Sequence, residues 1–477
     1  MPAENPSRRF PDGFLFGTKT SAYQVEGAVD ADGRGSSIWD TFSHTPGKTR
    51  NGDTGDVTSD QYHRLDQDLE LIGELGAPGH CFSVAWPRVQ PDGQGPPNQR
   101  GLDFYRRMVD GLRQRGVIPV ATLYHWDLPE ALQQAGGWTA RDTAMRFADY
   151  AGIVGEALAD GMGMWVTHTE PWCAAWLGNA LGIHAPGLQD LGTAVAATHH
   201  LLLSHGEAAR ALRAAVPGCP VGIDLNLQVV RAASDHPEDR AAARRSDGNS
   251  NRLFLDPLLL GSYPGDMLEH YAERRPGFSV IRDGDLGVIA QPLDFLGVNY
   301  YSPKLVCAPT RMAAARTAGY WVPRTPPDDL ISGDLGVVDI RRPEVEVTPM
   351  GWEVDPGGLT ELLIRLRTEY GPRPIHVLEN GRAADDYVDP AGEVQDLARI
   401  EYLRGHLHAV LDAIDAGVDV RGYFVWSLLD NFEWGQGFSM RFGLTWVDYP
   451  SGARIPKTSF GWYREVVKAG ALPIGPG

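Results

Sequence analysis

Two glutamates of this 477-residue chain stand where a carboxylate is costly to keep. Glu170 closes the apolar run of MWVTHTEPW and is followed by Pro171, and Glu379 closes that of IHVLENG and leads into an Asn380-Gly381 turn. A Glu is ordinarily solvated or salt-bridged and is seldom buried without a reason. Two of them at the ends of strand-like segments form a candidate pair for chemistry, because barrel enzymes work from the face where their strands end.

What surrounds the pair suggests the substrate. SAYQVEGA, TLYHWDLP, LGVNYYS, VWSLLDNFEWG and RFGLTWVDY concentrate Trp, Tyr, amides, His and carboxylates. A sugar needs that mixture, since its C–H faces stack on rings while its hydroxyls require directional partners. Tryptophan also fills cores, but Trp126, Trp426 and Trp434 all fall at expected strand ends beside polar residues.

Eight segments of strand length carry these strings, near Phe14–Gly17, Gly79–Trp86, Ile118–His125, Trp165–Glu170, Pro220–Leu225, Phe295–Tyr301, Ile375–Glu379 and Gly422–Leu428. Amphipathic stretches with apolar residues three and four apart lie between them, among them Thr143–Leu158, Thr193–Ala215, Gly358–Arg367 and Leu397–Ala416, the last stopped by Gly417. Strands alternating with helices predict an α/β fold with a parallel sheet, and eight repeats predict a closed (β/α)8 barrel. Such a barrel needs only about 250 residues. The surplus is therefore assigned to long loops at Ser43–Thr54, Arg231–Ser250 and Pro309–Val347, and the chain is read as one catalytic domain over 1–477 with its core over about 10–465.

Composition narrows the partners. The formal net charge of −18 repels nucleic acid and anionic membrane surfaces. Four scattered cysteines, Cys81, Cys173, Cys219 and Cys307, have neither zinc-ligand nor disulfide-framework spacing and are read as reduced and mostly buried. The opening MPAENPSRRFPDGFLFG lacks the apolar core of a secretory leader, so a cytoplasmic location is expected.

From about Phe10 to Tyr463 the chain resembles the family-1 glycoside hydrolases, the β-glucosidase and β-galactosidase group, with these motifs in the family's order. The resemblance implies a retaining β-glycosidase that hydrolyses β-O-glycosides or oligosaccharides through a covalent glycosyl-enzyme, with no cofactor and no metal. Glu170 matches the acid/base and Glu379 the nucleophile, which a retaining mechanism sets about 5–5.5 Å apart. Glu170 should then titrate high and Glu379 stay ionised. By the same resemblance Gln24, His125, Glu433 and Trp434 bind the glycone, with Glu433 on the hydroxyls at C4 and C6 and Trp426 as its floor. Trp126 is counted with this set, and Asn299 and Tyr301 match residues that hold the acid/base region and the nucleophile.

Two positions depart from the family pattern. Cys81 occupies a slot that normally holds Arg beside the nucleophile, and Thr169 one that normally holds Asn, a donor to the 2-hydroxyl. Losing a neighbouring cation should raise the pKa of Glu379, because an opposite charge commonly lowers a carboxylate by about 1–3 units. The exchange at position 169 points to an altered C2 substituent, hence an alternative reading as a specialised glycosidase or transglycosidase for a C2-modified sugar of a natural product. Two further classes are a sugar-binding pseudoenzyme and a barrel metallohydrolase using His125, His168 and Glu170, with His168 sharing the carboxylate's face. Tyr320 and Trp321 are candidates for the aglycone mouth. Association into a homo-oligomer is left open.

Overall fold

A computed structural model describes residues 8–324 and 329–472. The first seven residues of the leader reading and residues 325–328 of the third expected loop lie outside the described residues. Eight parallel strands close into a barrel in the order β1-β8-β7-β6-β5-β4-β3-β2. They are β1 (Leu15–Lys19), β2 (Gly79–Ser83), β3 (Ile118–Tyr124), β4 (Met164–Thr169), β5 (Val221–Asn226), β6 (Phe295–Asn299), β7 (Ile375–Asn380) and β8 (Val420–Trp426). Their residues are almost all buried, as expected of strands covered on both faces.

Inside the barrel Cys81, Val120, Met164, Val166, Phe295, Leu378 and Phe424 pack into a plug of their own. Glycines shape the wall around it. A Cβ on Gly17 would run into the ring of Phe424, and one on Gly297 would meet the carboxylate of Asp224, so both positions hold the space for a larger neighbour.

The amphipathic stretches are helices close to the expected bounds: Arg141–Leu158, Leu191–Ala215, Pro356–Tyr370 and Leu397–Asp415. Gly417 has φ +87° and ends the last of them. Among the described residues no helix is long and apolar enough to cross a membrane.

Three expectations need correction. The segment Arg231–Ser250 is not a loop throughout, because Pro237–Asp247 is helical. Its charged composition hid a good helix former, with Pro at the start, Glu238 and Asp239 in the first turn and Arg244 and Arg245 in the last, where the helix dipole favours them. Within Pro309–Val347, Met312–Thr317 and Leu330–Leu335 are short helices, and Val338–Ile340 pairs with Lys304–Cys307 in a three-stranded sheet. The first strand runs to Lys19 rather than stopping at Gly17, since its polar end is held by ladder pairing with β2 and β8 instead of by apolar burial.

A buried ion network anchors the loop that follows β8. Lys457 Nζ lies 2.5 Å from Asp386 Oδ2 and 2.6 Å from Asp430 Oδ1, Arg399 pairs with Asp386 at 2.7 Å and also with Asp396, and Arg441 holds the other oxygen of Asp430 at 2.6 Å. Removing one member leaves a buried charge uncompensated, which typically costs about 3–5 kcal/mol. Lys457→Met is therefore expected to lower the thermal midpoint, and combining it with Asp430→Asn should recover part of the loss. Differential scanning calorimetry checks this; equal midpoints for wild type and Lys457→Met would contradict it.

Candidate active site

The strand ends open into a cavity of about 450 Å³ lined by residues from most of the barrel, among them His125, Trp126, Glu170, Asn299, Tyr301, Glu379, Trp426, Glu433 and Trp434. Nine of the sequence-derived residues are thus brought together from segments hundreds of positions apart. The three carboxylates of the sequence-derived set are nearly buried: Glu379 is 4 %, Glu170 6 % and Glu433 9 % exposed.

Local backbone geometry aims them. Glu170 adopts φ +51° at the end of β4, a left-handed conformation that a non-glycine residue seldom takes. Register also shifts between Val166 and Thr169 against β5. These irregularities break the alternation on which the expected His125–His168–Glu170 cluster rested. Thr167 Oγ1 and His168 Nε2 instead meet His205 Nδ1 (2.7 Å) and Ser204 Oγ (2.9 Å) on the outer helix, and His168 packs against Phe147. His168 does not share the face of Glu170, and the metallohydrolase geometry is not formed.

Glu379 is held by the two residues after it. The Asn380 side chain donates to Tyr300 O (2.5 Å) and accepts from Tyr423 Oη (2.6 Å). A Cβ on Gly381 would collide with the carbonyl of Trp426, so the close approach of β7 to β8 requires glycine there.

The two acids have unlike partners. Glu170 receives Asn299 Nδ2 on Oε1 at 2.9 Å and Cys173 Sγ on Oε2 at 3.1 Å, both neutral donors. Glu379 receives Tyr301 Oη on Oε2 at 2.8 Å, and the ammonium of Lys19 lies 2.8 Å from its Oε1, a charge pair whose angle departs from that of a hydrogen bond. Burial and then the charge of Glu379 push Glu170 up to about 8. Burial also raises Glu379, against the pull of Lys19. Only Glu379 has a cation in contact, so the shared negative charge rests on it and the proton rests on Glu170.

The remaining wall is aromatic and sparsely partnered. Trp434 packs on Trp39 and Trp126 with centroids 4.4 Å and 4.5 Å away, and His125 lies between Trp426 and Trp434 at 5.8 Å from each. Burial and then Lys19 hold His125 neutral, well below the usual histidine range. Burial and the two other glutamates push Glu433 up to about 8. His125 Nδ1, Glu433 Oε2 and Asn299 Oδ1 have no protein partner, which leaves directional groups beside stacking faces.

Three expected contacts lie behind the wall. Gln24 is fully buried, its amide donating to Asn431 Oδ1 (3.0 Å) and Phe432 O (2.9 Å) and accepting from Ser21 (2.5 Å). Thr169 accepts from Lys19 at 3.0 Å and donates to Asp224 Oδ2 at 3.2 Å. Cys81 belongs to the barrel plug. At the mouth, Tyr320 packs under the three-stranded sheet and Trp321 lies on the surface beneath the Arg341 guanidinium, so neither lines the cavity; Asp339–Arg341 and Met350–Glu353 do. The sequence reading missed Lys19 and Asp224. A lysine inside the run FLFGTKT, beside a strand whose Arg slot had become Cys81, was the available signal.

The comparisons agree with this geometry. The family described as Glycosyl hydrolase family 1 matches residues 6–471. A bifunctional beta-D-glucosidase/beta-D-fucosidase of Bifidobacterium breve is 48% identical over 96% of this chain and 98% of its own, and beta-glucosidase A of Thermotoga maritima is 43% identical over 98% and 99%. The solved structure of a family 1 β-glucosidase from Thermotoga maritima in complex with isofagomine lactam superposes with a TM-score of 0.90 at 42% identity, covering 98% of this chain and 100% of that one. A barrel with two buried glutamates in an aromatic cavity, matched along nearly its whole length, makes this chain a glycoside hydrolase that belongs to glycosyl hydrolase family 1.

Proposed function

We propose that this glycosidase cleaves β-glucosides, with Glu379 as nucleophile and Glu170 as acid/base. The observation that carries the assignment is the unlike environment of the two carboxyls: Glu379 faces an ammonium, whereas Glu170 has only neutral donors. Glu379 attacks the anomeric carbon while Glu170 passes its proton to the departing oxygen, which leaves as an alcohol. Glu379 is then an ester without charge. The electrostatic cause that raised Glu170 is gone, its pKa falls, and it becomes the base that takes a proton from water as the ester is hydrolysed.

Trp426 and Trp434 offer faces to the sugar ring, and His125 Nδ1 and Glu433 Oε2 offer polar atoms to its hydroxyls. The relatives' names support a β-glucoside or β-fucoside and do not favour a C2-modified sugar, transglycosylation or a pseudoenzyme. We also take the protein to be cytoplasmic, on the ground that all four cysteines are free thiols, as in reducing compartments.

Glu379→Gly should lower kcat for 4-nitrophenyl β-glucoside by at least about 10³-fold. Mass spectrometry after treatment with a 2-fluoro glucosyl fluoride should place the adduct on Glu379, and an adduct elsewhere would refute the assignment. Glu170→Gln should slow glucosides of poor leaving groups by about 10²–10⁴-fold and slow aryl glucosides less. It should also abolish the alkaline limb of the kcat/KM profile, which the raised Glu170 is expected to set near pH 8 in the wild type.

Stability gives an independent check. The folded pKa of Glu170 is raised, so its contribution is present at low pH and is lost as pH rises through about 8. Glu170→Gln removes that loss. Its thermal midpoint should exceed the wild type's above pH 8, with the gap closing towards acid pH; a gap independent of pH would contradict the burial argument.

A further inference from the structure

We propose that Lys19 is the positioning cation of the nucleophile, supplying from β1 the charge that the family resemblance assigns to β2, with Asp224 as its second counter-ion. The inference rests on Glu379 being the nucleophile.

Lys19 and Cys81 are register partners on adjacent strands. The slot on β2 carries no charge, because burial pushes the Cys81 thiol up to about 11 and its Sγ only faces Thr122 Oγ1 at 3.6 Å. One strand away, the fully buried Lys19 ammonium donates to Asp224 Oδ2 at 2.5 Å and Thr169 Oγ1 at 3.0 Å and is paired by charge with Glu379 Oε1 at 2.8 Å. Thr169 and Asp224 are themselves register partners on β4 and β5, and Gly297 on β6 leaves room for the Asp224 carboxylate. The residues at positions 19, 81, 169 and 224 therefore read as one arrangement: a cation moved sideways, a neutral residue where it is no longer needed, a short hydroxyl that receives it, and an acid that balances it.

The acid has a purpose that a lone Lys–Glu pair would not meet. Glu379 loses its charge when it becomes an ester, and a fully buried ammonium without a counter-charge is strongly disfavoured. Asp224 keeps Lys19 paired through that stage. Lys19, Thr169 and Asp224 do not line the cavity, so they act through Glu379 and not on the sugar.

The test reads the acidic limb of the kcat/KM profile, which reports protonation of Glu379. Titratable groups around Glu379 are Lys19 on β1, Cys81 on β2, Glu170 directly after β4, Asp224 on β5, Tyr301 after β6 and Glu433 after β8, and the neutral His125 after β3 lines the same cavity. Of these, Lys19 is the only cation. Lys19→Met should move the limb up by about 1–3 units and lower kcat/KM, whereas Asp224→Asn should move it down. Since Lys19→Met strands the Asp224 carboxylate, the charge-neutral pair Lys19→Met/Asp224→Asn is measured beside it and should fall between Lys19→Met and wild type. Lys19→Ala/Cys81→Arg, which returns a cation to β2, should bring the limb back towards wild type. Shifts of the same sign for Lys19→Met and Asp224→Asn, or a limb unmoved in the neutral pair, would overturn the proposal. A 2-fluoro label on Glu379 accompanied by such a result condemns the role of Lys19 alone, whereas a label elsewhere condemns the catalytic assignment first.

Discussion

A carboxylate buried next to a second carboxylate is tolerable only if something compensates its charge, and here that is an ammonium 2.8 Å away. Without it the proton would have no reason to prefer one acid over the other. With it, negative charge collects on Glu379 and the proton collects on Glu170, which is the asymmetry a double displacement requires. The rest of the structure either creates this contact or protects it. Closure of the barrel brings β1, β5 and β7 to a common rim, Gly297 makes space for the acid behind the ammonium, and the turn at Asn380-Gly381 fixes the carboxylate itself.

Burial sharpens the contrast. Trp126, Trp426 and Trp434 with Tyr301 and Trp352 form an apolar wall that excludes bulk solvent, so neutral hydrogen-bond donors and one cation suffice to separate two acids of the same type. The same wall keeps His125 uncharged and Glu433 largely protonated near neutral pH, so both present polar atoms to a sugar without adding a competing charge at the centre. Behind β8 a network of Lys457, Arg399, Arg441 and three aspartates holds the loop that carries Glu433 and Trp434, and thus the far wall of the cavity depends on ion pairs outside the barrel.

How much was legible depended on the kind of signal. Glu170 and Glu379 could be read because apolar strands ended in carboxylates, and Asn299 and Tyr301 could be read from their motif; their contacts to the two acids follow. The helix Pro237–Asp247 was hidden because its polar sequence imitates a loop, and β1 was cut short because Thr18 and Lys19 end its apolar run. In sequence Cys81 marks a lost cation, whereas in the fold the charge sits on Lys19, its register partner. Sequence numbers 19 and 81 give no hint of adjacency; only strand pairing does.

The chain by itself determined its elements and its chemistry, since periodicity fixes strands and helices and residue type fixes what a side chain can donate, accept or stack upon. It determined that two acids, several tryptophans and a histidine would be available at strand ends. Tertiary structure alone decided which of them face one another: that His168 turns outward, that Gln24 and Thr169 spend their polar atoms on the protein, and that Lys19 reaches across to Glu379. The reason is that barrel closure sets distances between residues hundreds of positions apart, and the energy of a buried charge depends on those distances rather than on its neighbours in sequence.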